Sequence, residues 1–160
     1  MRIAAVLAMV TLFAACSPGQ PAFVELETLQ RPTSPNTYLV CPRALTAAAV
    51  DREPPVYALP VAELERVWLA ALAAEPRLRQ VASDPDGHRH LLVQRTPVLR
   101  FPDLIQVQFV AVPPDAATVC IYSRSVYGYS DLGQNRRRVE DWLARIRPPA
   151  APIAGGAAPR

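Results

Sequence analysis

"DLIQVQFVAVPPDAATVCIYSRS", residues 103–125, is a strand, a turn and a strand. Ile105, Val107, Phe109 and Ala111 fall on one face of the first segment, and Gln106 and Gln108 fall on the other, the period-two alternation of a strand that is buried on one side. "PPDAA" breaks the run, and "TVCIYSRSVY" resumes it as the next strand. Upstream, "RLRQVAS" and "HRHLLVQRT" flank "DPDG", a hairpin signal. Before that hairpin, "VAELERVWLAALAAE" (61–75) places Leu64, Val67, Trp68, Ala71 and Leu72 on one helical face and meets a stop at Pro76. "PPVYALP" ahead of it reads as a short extended segment pinned by prolines. Downstream, a helix is expected from about Leu132 to Ile146, with Val139, Trp142, Leu143 and Ile146 on its apolar face. The order implies an α+β domain, an antiparallel β-sheet of about four to five strands with two main helices packed on one face.

The N-terminus reads as an address. "MRIAAVLAMVTLFAA" has one positive charge followed by an apolar run, the pattern of a secretory signal, and is shorter than the roughly 20 apolar residues of a membrane span. "LFAACSPG" follows, with Ala15 directly before Cys16. This resembles a bacterial lipobox, although Phe13 stands where Leu is usual. The resemblance implies a Cys16 thiol linked to diacylglycerol and exposed as the first mature residue. Ser17 is not Asp, so the inner-membrane retention signal is missing and the outer membrane is favoured. The expected organisation is a lipoprotein signal peptide over 1–15, a Pro-rich tether over 16–37, a single domain over 38–147, and a disordered Pro/Ala/Gly tail over 148–160.

All 17 basic residues are Arg, against 14 acids in 160 residues. Removal of residues 1–15 leaves 16 Arg and a net charge of +2. That is too weak a field for nucleic-acid binding, which we do not expect. No Walker loop, Rossmann fingerprint, G-x-S-x-G or H-E-x-x-H occurs. His88 and His90 stand near Asp84 and Asp86 in "DPDGHRH" without an evident third metal ligand, and a hairpin turn explains the Asp, Pro and Gly. We therefore expect no metal, no cofactor and no catalysis.

"YGYSDLGQNRRRVEDWL" (127–143) carries the richest polar cluster. With Val139 at zero on the helical wheel, Asn135 lies at about −40°, Arg136 at about +60°, Arg137 at about 160° and Arg138 at about −100°. The wheel turns Leu132, Asn135 and Arg136 inward, sends Arg137 to solvent and leaves Arg138 on the flank. Asp131 reads as the N-cap, with Gln134 completing a capping box. "IYSRSVYGYSDLGQNRRRVEDWL" resembles the C-terminal signature of a bacterial and plastid family known as domain of unknown function 1499, in which an "SRS" strand leads into G-x-S-D-x-G-x-N-R-R-R. "LRFPDLIQVQF" and "SPNTYLVCP" resemble two further segments of that family. The resemblance spans roughly residues 35–146 and implies an α+β fold and an envelope location, with no activity attached. The chain departs from the pattern after "LVCP", where a second cysteine is missing and Cys120 lies in a strand instead. Cys41 and Cys120 are left as either a disulfide or two thiols.

Two readings of the polar cluster stand side by side. Ser123, Arg124, Ser125, Tyr127, Ser130, Asp131, Asn135, Arg136 and Arg138 form an anion site at a helix start, or they form an internal network in which Asp103, with Arg100 nearby, pairs Arg136 or Arg138. The expected function is a lipid-anchored binding or interaction module of the envelope whose partners are the membrane and an envelope protein or small anionic ligand. The alternatives are a purely structural lipoprotein and, last, an enzyme of unrecognised type.

Overall fold

A computed structural model describes residues 21–147. The elements are β1 (Thr37–Val40), α1 (Val61–Leu72), β2 (Leu78–Asp84), β3 (Arg89–Arg95), β4 (Pro102–Val112), β5 (Ala116–Ser125) and α2 (Gln134–Arg145), with one turn of 3₁₀ helix at Arg43–Leu45. The strands form one antiparallel sheet in the order β1-β5-β4-β3-β2. Both helices pack on one face. Leu64, Trp68 and Leu72 of α1 and Val139, Trp142 and Leu143 of α2 close over Val40, Leu92, Ile105, Val107, Phe109, Val119 and Ile121. The fold is therefore α+β, as the alternation in β4 implies. Ala111 is the exception on that face, exposed beside the β4–β5 turn.

The opposite face of the sheet is also covered, which corrects, for its described residues 21–37, the tether expected over 16–37. Leu26 and Leu29 are buried with Leu39, Cys41, Cys120 and Tyr122 in a second apolar cluster. Gln106, expected to face solvent, is buried because its side-chain amide pairs the backbone of Val24, accepting from the N–H (2.8 Å) and donating to the C=O (2.9 Å). Phe23 lies under the Arg89 guanidinium, and Glu25 pairs with Arg89. The packed chain thus begins well before Tyr38. The segment forms no helix or strand, yet burying one Leu contributes about 1.5–3 kcal/mol and does not need either. Cys41 and Cys120 form a disulfide beneath this layer. The expected signal peptide, Cys16 and the expected 148–160 tail lie outside the described residues.

Two further contacts position α2. The Tyr38 hydroxyl donates to Glu140 (2.5 Å), and Arg52 pairs with the same carboxylate. Burial and the bond to Glu140 push the Tyr38 hydroxyl up to about 12. One end of the sheet gathers the end of β3, the start of β4, the end of β5, the start of β2 and the start of α2, since Leu78 pairs Gln94, Arg95 pairs Pro102 and Asp103 pairs Ser125.

Candidate functional site

The "SDLGQNRRR" turn is built to start a helix over that end of the sheet. Gly133 takes φ +76° as the residue before α2, a region glycine enters freely. The Asp131 carboxylate accepts from the backbone N–H of Gly133 (2.9 Å) and of Asn135 (2.6 Å), satisfying donors that a helix start leaves bare. Gln134 does not reciprocate. Its side-chain oxygen faces Arg137 (3.3 Å), so the expected capping box is absent. The helix begins two residues later than expected, and Leu132 points outward instead of inward.

Asn135 and Arg138 enter the interior together. Arg138 pairs with Asp103 of β4 and donates to the side-chain oxygen of Gln94 on β3, to Ser123 on β5 (2.9 Å) and to Asn135 (2.6 Å). Ser123 donates to Asn135 (2.6 Å), and Ser125 donates to Asp103 (2.6 Å). Asn135 donates to the carbonyl of Asn36 (2.9 Å) and to Ser125 (3.1 Å). Asn36 in turn donates to the carbonyl of Gly128 (2.7 Å). One buried cluster thus ties β3, β4, β5, α2 and the strand-entry segment before β1. It is the internal network, with its arginine corrected: Arg138 is buried, whereas Arg136 is exposed. The reason is lateral. α2 lies over β1 and β5, and β1 is the sheet edge, so the side of the helix bearing Arg136 overhangs that edge near Tyr38. The side bearing Arg138 faces Asp103 and the middle of the sheet.

The remaining expected members disperse. Arg124 lies on the opposite face of β5 and lines a cleft of ≈ 550 Å³ with Arg31, Asn36 and Tyr122. Ser130 accepts from the N–H of Leu132 (3.2 Å) in an exposed loop. Tyr127 is exposed and rests against Phe101, ring centroids 5.9 Å apart. Arg100 is exposed and takes no part in the network. Sequence reading missed Gln94 and Asn36. Gln94 carried a signal, since it shares the inward parity of His90 and Leu92 on β3; Asn36 carried none.

A second arrangement was not anticipated. Arg77, Arg79, Arg95 and Arg100 line a cleft of ≈ 560 Å³ at the β2–β3 side of the same sheet end, together with Pro21, Val81 and Val93. Arg77 and Arg95 also line a smaller neighbouring cleft of ≈ 240 Å³, where they meet Arg137, Thr96 and Leu132, with Arg138 at its floor. Among the described residues, none of Arg77, Arg79, Arg95, Arg100 and Arg137 has a carboxylate within ion-pair distance. Arg77, Arg95 and Arg137 donate to backbone carbonyls of Arg95, Arg100 and Leu132.

On α1, Glu65 holds both histidines, one oxygen to His88 Nδ1 (2.5 Å) and the other to His90 Nε2 (2.6 Å). Burial raises the Glu65 carboxyl, but the bonds to His88 and His90 outweigh it and leave it below the usual carboxylate range. A carboxylate depressed on folding adds stability that is complete above its unfolded value, about 4.3, and is lost as pH falls through the lower folded one. Glu65→Gln should therefore cost about 1.5–3 kcal/mol at neutral pH. The gap to the parent should close on acidification below about pH 4, read by urea unfolding at a series of pH values; a gap independent of pH refutes the clamp.

A family model described as "Protein of unknown function (DUF1499)" matches residues 16–146. No curated protein and no solved structure matches the chain.

Proposed function

The chain belongs to the DUF1499 family, and from that premise we propose that it is a lipid-anchored envelope protein whose domain is a binding module for anionic groups. The sequence "LFAACSPG" supports acylation at Cys16, with the outer membrane favoured by Ser17. In this reading the cluster around Arg138 is structural, and the anion face lies beside it. The observation that carries the reading is the run of arginines without carboxylate partners among the described residues, Arg77, Arg79, Arg95 and Arg100, along one cleft. Unpaired guanidinium groups converging on a shared concavity suit phosphate or carboxylate oxygens, which they take in bidentate fashion. The buried network also favours a purely structural lipoprotein, and the same experiment separates the two.

Metabolic labelling with palmitate should mark the parent chain and not Cys16→Ser. Pyrophosphate should raise the melting temperature of the parent, since a ligand that binds only the folded state stabilises by RT ln(1 + [L]/Kd). The double variant Arg79→Gln, Arg100→Gln should lose that shift while keeping its melting temperature without ligand, because neither side chain makes a hydrogen bond among the described residues. A shift that survives in the double variant removes the cleft as the anion site.

A further inference from the structure

Beside the arginine cleft, two loops carry large apolar side chains into solvent. The β3–β4 loop presents Val98 (85% exposed), Leu99 and Phe101, and the β5–α2 loop presents Tyr127, Tyr129 and Leu132 (83% exposed). The loops form one surface. Phe101 packs on Tyr127, the Val126 N–H donates to the Pro102 carbonyl (3.2 Å), and Pro97 and Leu132 line the same small cleft. Clustered exposed apolar residues mark an interaction surface more often than they decorate a free one. Arg77, Arg100 and Leu132, all at this end, also hold φ between +54° and +60°, a region that bulky residues seldom adopt without a reason.

The surroundings select the occupant. The apolar tip is bordered by Arg77, Arg95, Arg100 and Arg137, none paired with an acid among the described residues. Aromatic and aliphatic tips flanked by cations match the bilayer interface, where tyrosine rings sit at headgroup level and arginines meet phosphates. The chain's own path gives the second argument. Pro21 lines the arginine cleft and stands five positions after Cys16. At full extension that is about 18 Å. An acyl anchor on Cys16 therefore holds this end of the domain, and not the opposite one, next to the lipid surface.

We propose that the 96–101 and 126–132 loops, with the arginines around them, dock the domain onto a bilayer leaflet bearing anionic phospholipid. The proposal deepens the anion-binding reading, and its tethering argument rests on acylation of Cys16. Docked, Leu99, Phe101 and Leu132 enter the interface while Arg95, Arg100 and Arg137 take phosphates at its edge.

The test uses the full chain reconstituted on vesicles of phosphatidylcholine, with and without phosphatidylglycerol. An environment-sensitive fluorophore is attached at Leu99→Cys, at Tyr129→Cys, or at Val56→Cys, an exposed control beside Val112 and Thr118 at the other end of the sheet. Lipid-borne quenchers should quench positions 99 and 129 on vesicles containing phosphatidylglycerol, much less so at high salt, and leave position 56 unquenched. The docked-to-undocked ratio should fall roughly fivefold for each of Arg100 and Arg137 replaced by Gln. Quenching is read at vesicle saturation, so it decides docking whether or not Cys16 is acylated, while the palmitate content of the same sample decides the anchor. Positions 99 and 129 that stay as wet as position 56 on both vesicles overturn the proposal and leave the loops to a protein partner. Quenching without dependence on phosphatidylglycerol overturns the role of the arginines.

Discussion

Arg138→Ala should lower the stability of the domain by about 3–5 kcal/mol, the usual consequence of removing one member of a buried ion pair. The substitution strands more than Asp103. The Gln94 and Asn135 side-chain oxygens lose the same donor, and Ser123 loses a partner, all of them at most 9% exposed. Each orphaned polar group adds a desolvation cost of about 1–3 kcal/mol unless water enters, and these costs do not simply sum. Arg136→Ala and Arg137→Ala should change stability by no more than about 0.5 kcal/mol, since both side chains are exposed. Thermal or urea unfolding of the three variants reads the contrast directly, with a drop on the order of 10–20 °C expected for Arg138→Ala alone. A double-mutant cycle with Asp103→Asn should show coupling, because the Arg138 guanidinium pairs that carboxylate directly. Three equal and small effects would mean that the network does not hold α2 to the sheet.

This contrast also marks how far the sequence could be read. Alternation across Ile105, Val107 and Phe109 was enough to fix β4, and with it the antiparallel sheet and the face that the helices cover. "DPDG" placed the β2–β3 hairpin, and the helical period placed Trp68 and Trp142 in the core. The same helical wheel set Arg136 inward because it assumed a partner surface centred on Val139. The real surface is offset, since β1 is the last strand on that side of the sheet, and no one-dimensional pattern reports where a sheet ends. The second face failed for a related reason. Leu26 and Leu29 are buried by a proline-rich chain with no period to recognise, so composition suggested a tether. The arginine cleft was least legible. Arg77, Arg79, Arg95 and Arg100 come from the start of β2, the end of β3 and the loop after it, and only the pairing of Leu78 with Gln94 brings them together.

Replacing both cysteines, as Cys41→Ala with Cys120→Ala, should cost roughly 4 kcal/mol, near the upper range for a disulfide because the bond closes a long loop. The two residues are 79 positions apart, so the bond restricts about half the chain in the unfolded state. In the folded state it sits in the smaller apolar cluster, where Leu26, Leu29, Leu39 and Tyr122 have fewer buried neighbours than the core under the helices. The loss should therefore be uneven. Hydrogen exchange should quicken first in the segment around Leu26 and in β1, before β3 and β4, because local opening starts where the least apolar contact must be broken. Thiol reduction of the parent should reproduce both effects, and a double variant within about 1 kcal/mol of the parent would place the stability of that layer in its packing alone. The consequence reaches the proposed docking face. Pro21 leads from this layer into the arginine cleft, so the layer that the disulfide pins also sets the direction from which an anchor at Cys16 would pull. A reduced chain, or a Cys41→Ala, Cys120→Ala chain that keeps an acylated Cys16, should remain on vesicles yet lose quenching at positions 99 and 129, because the anchor would then hold a loosened segment instead of a fixed end of the sheet.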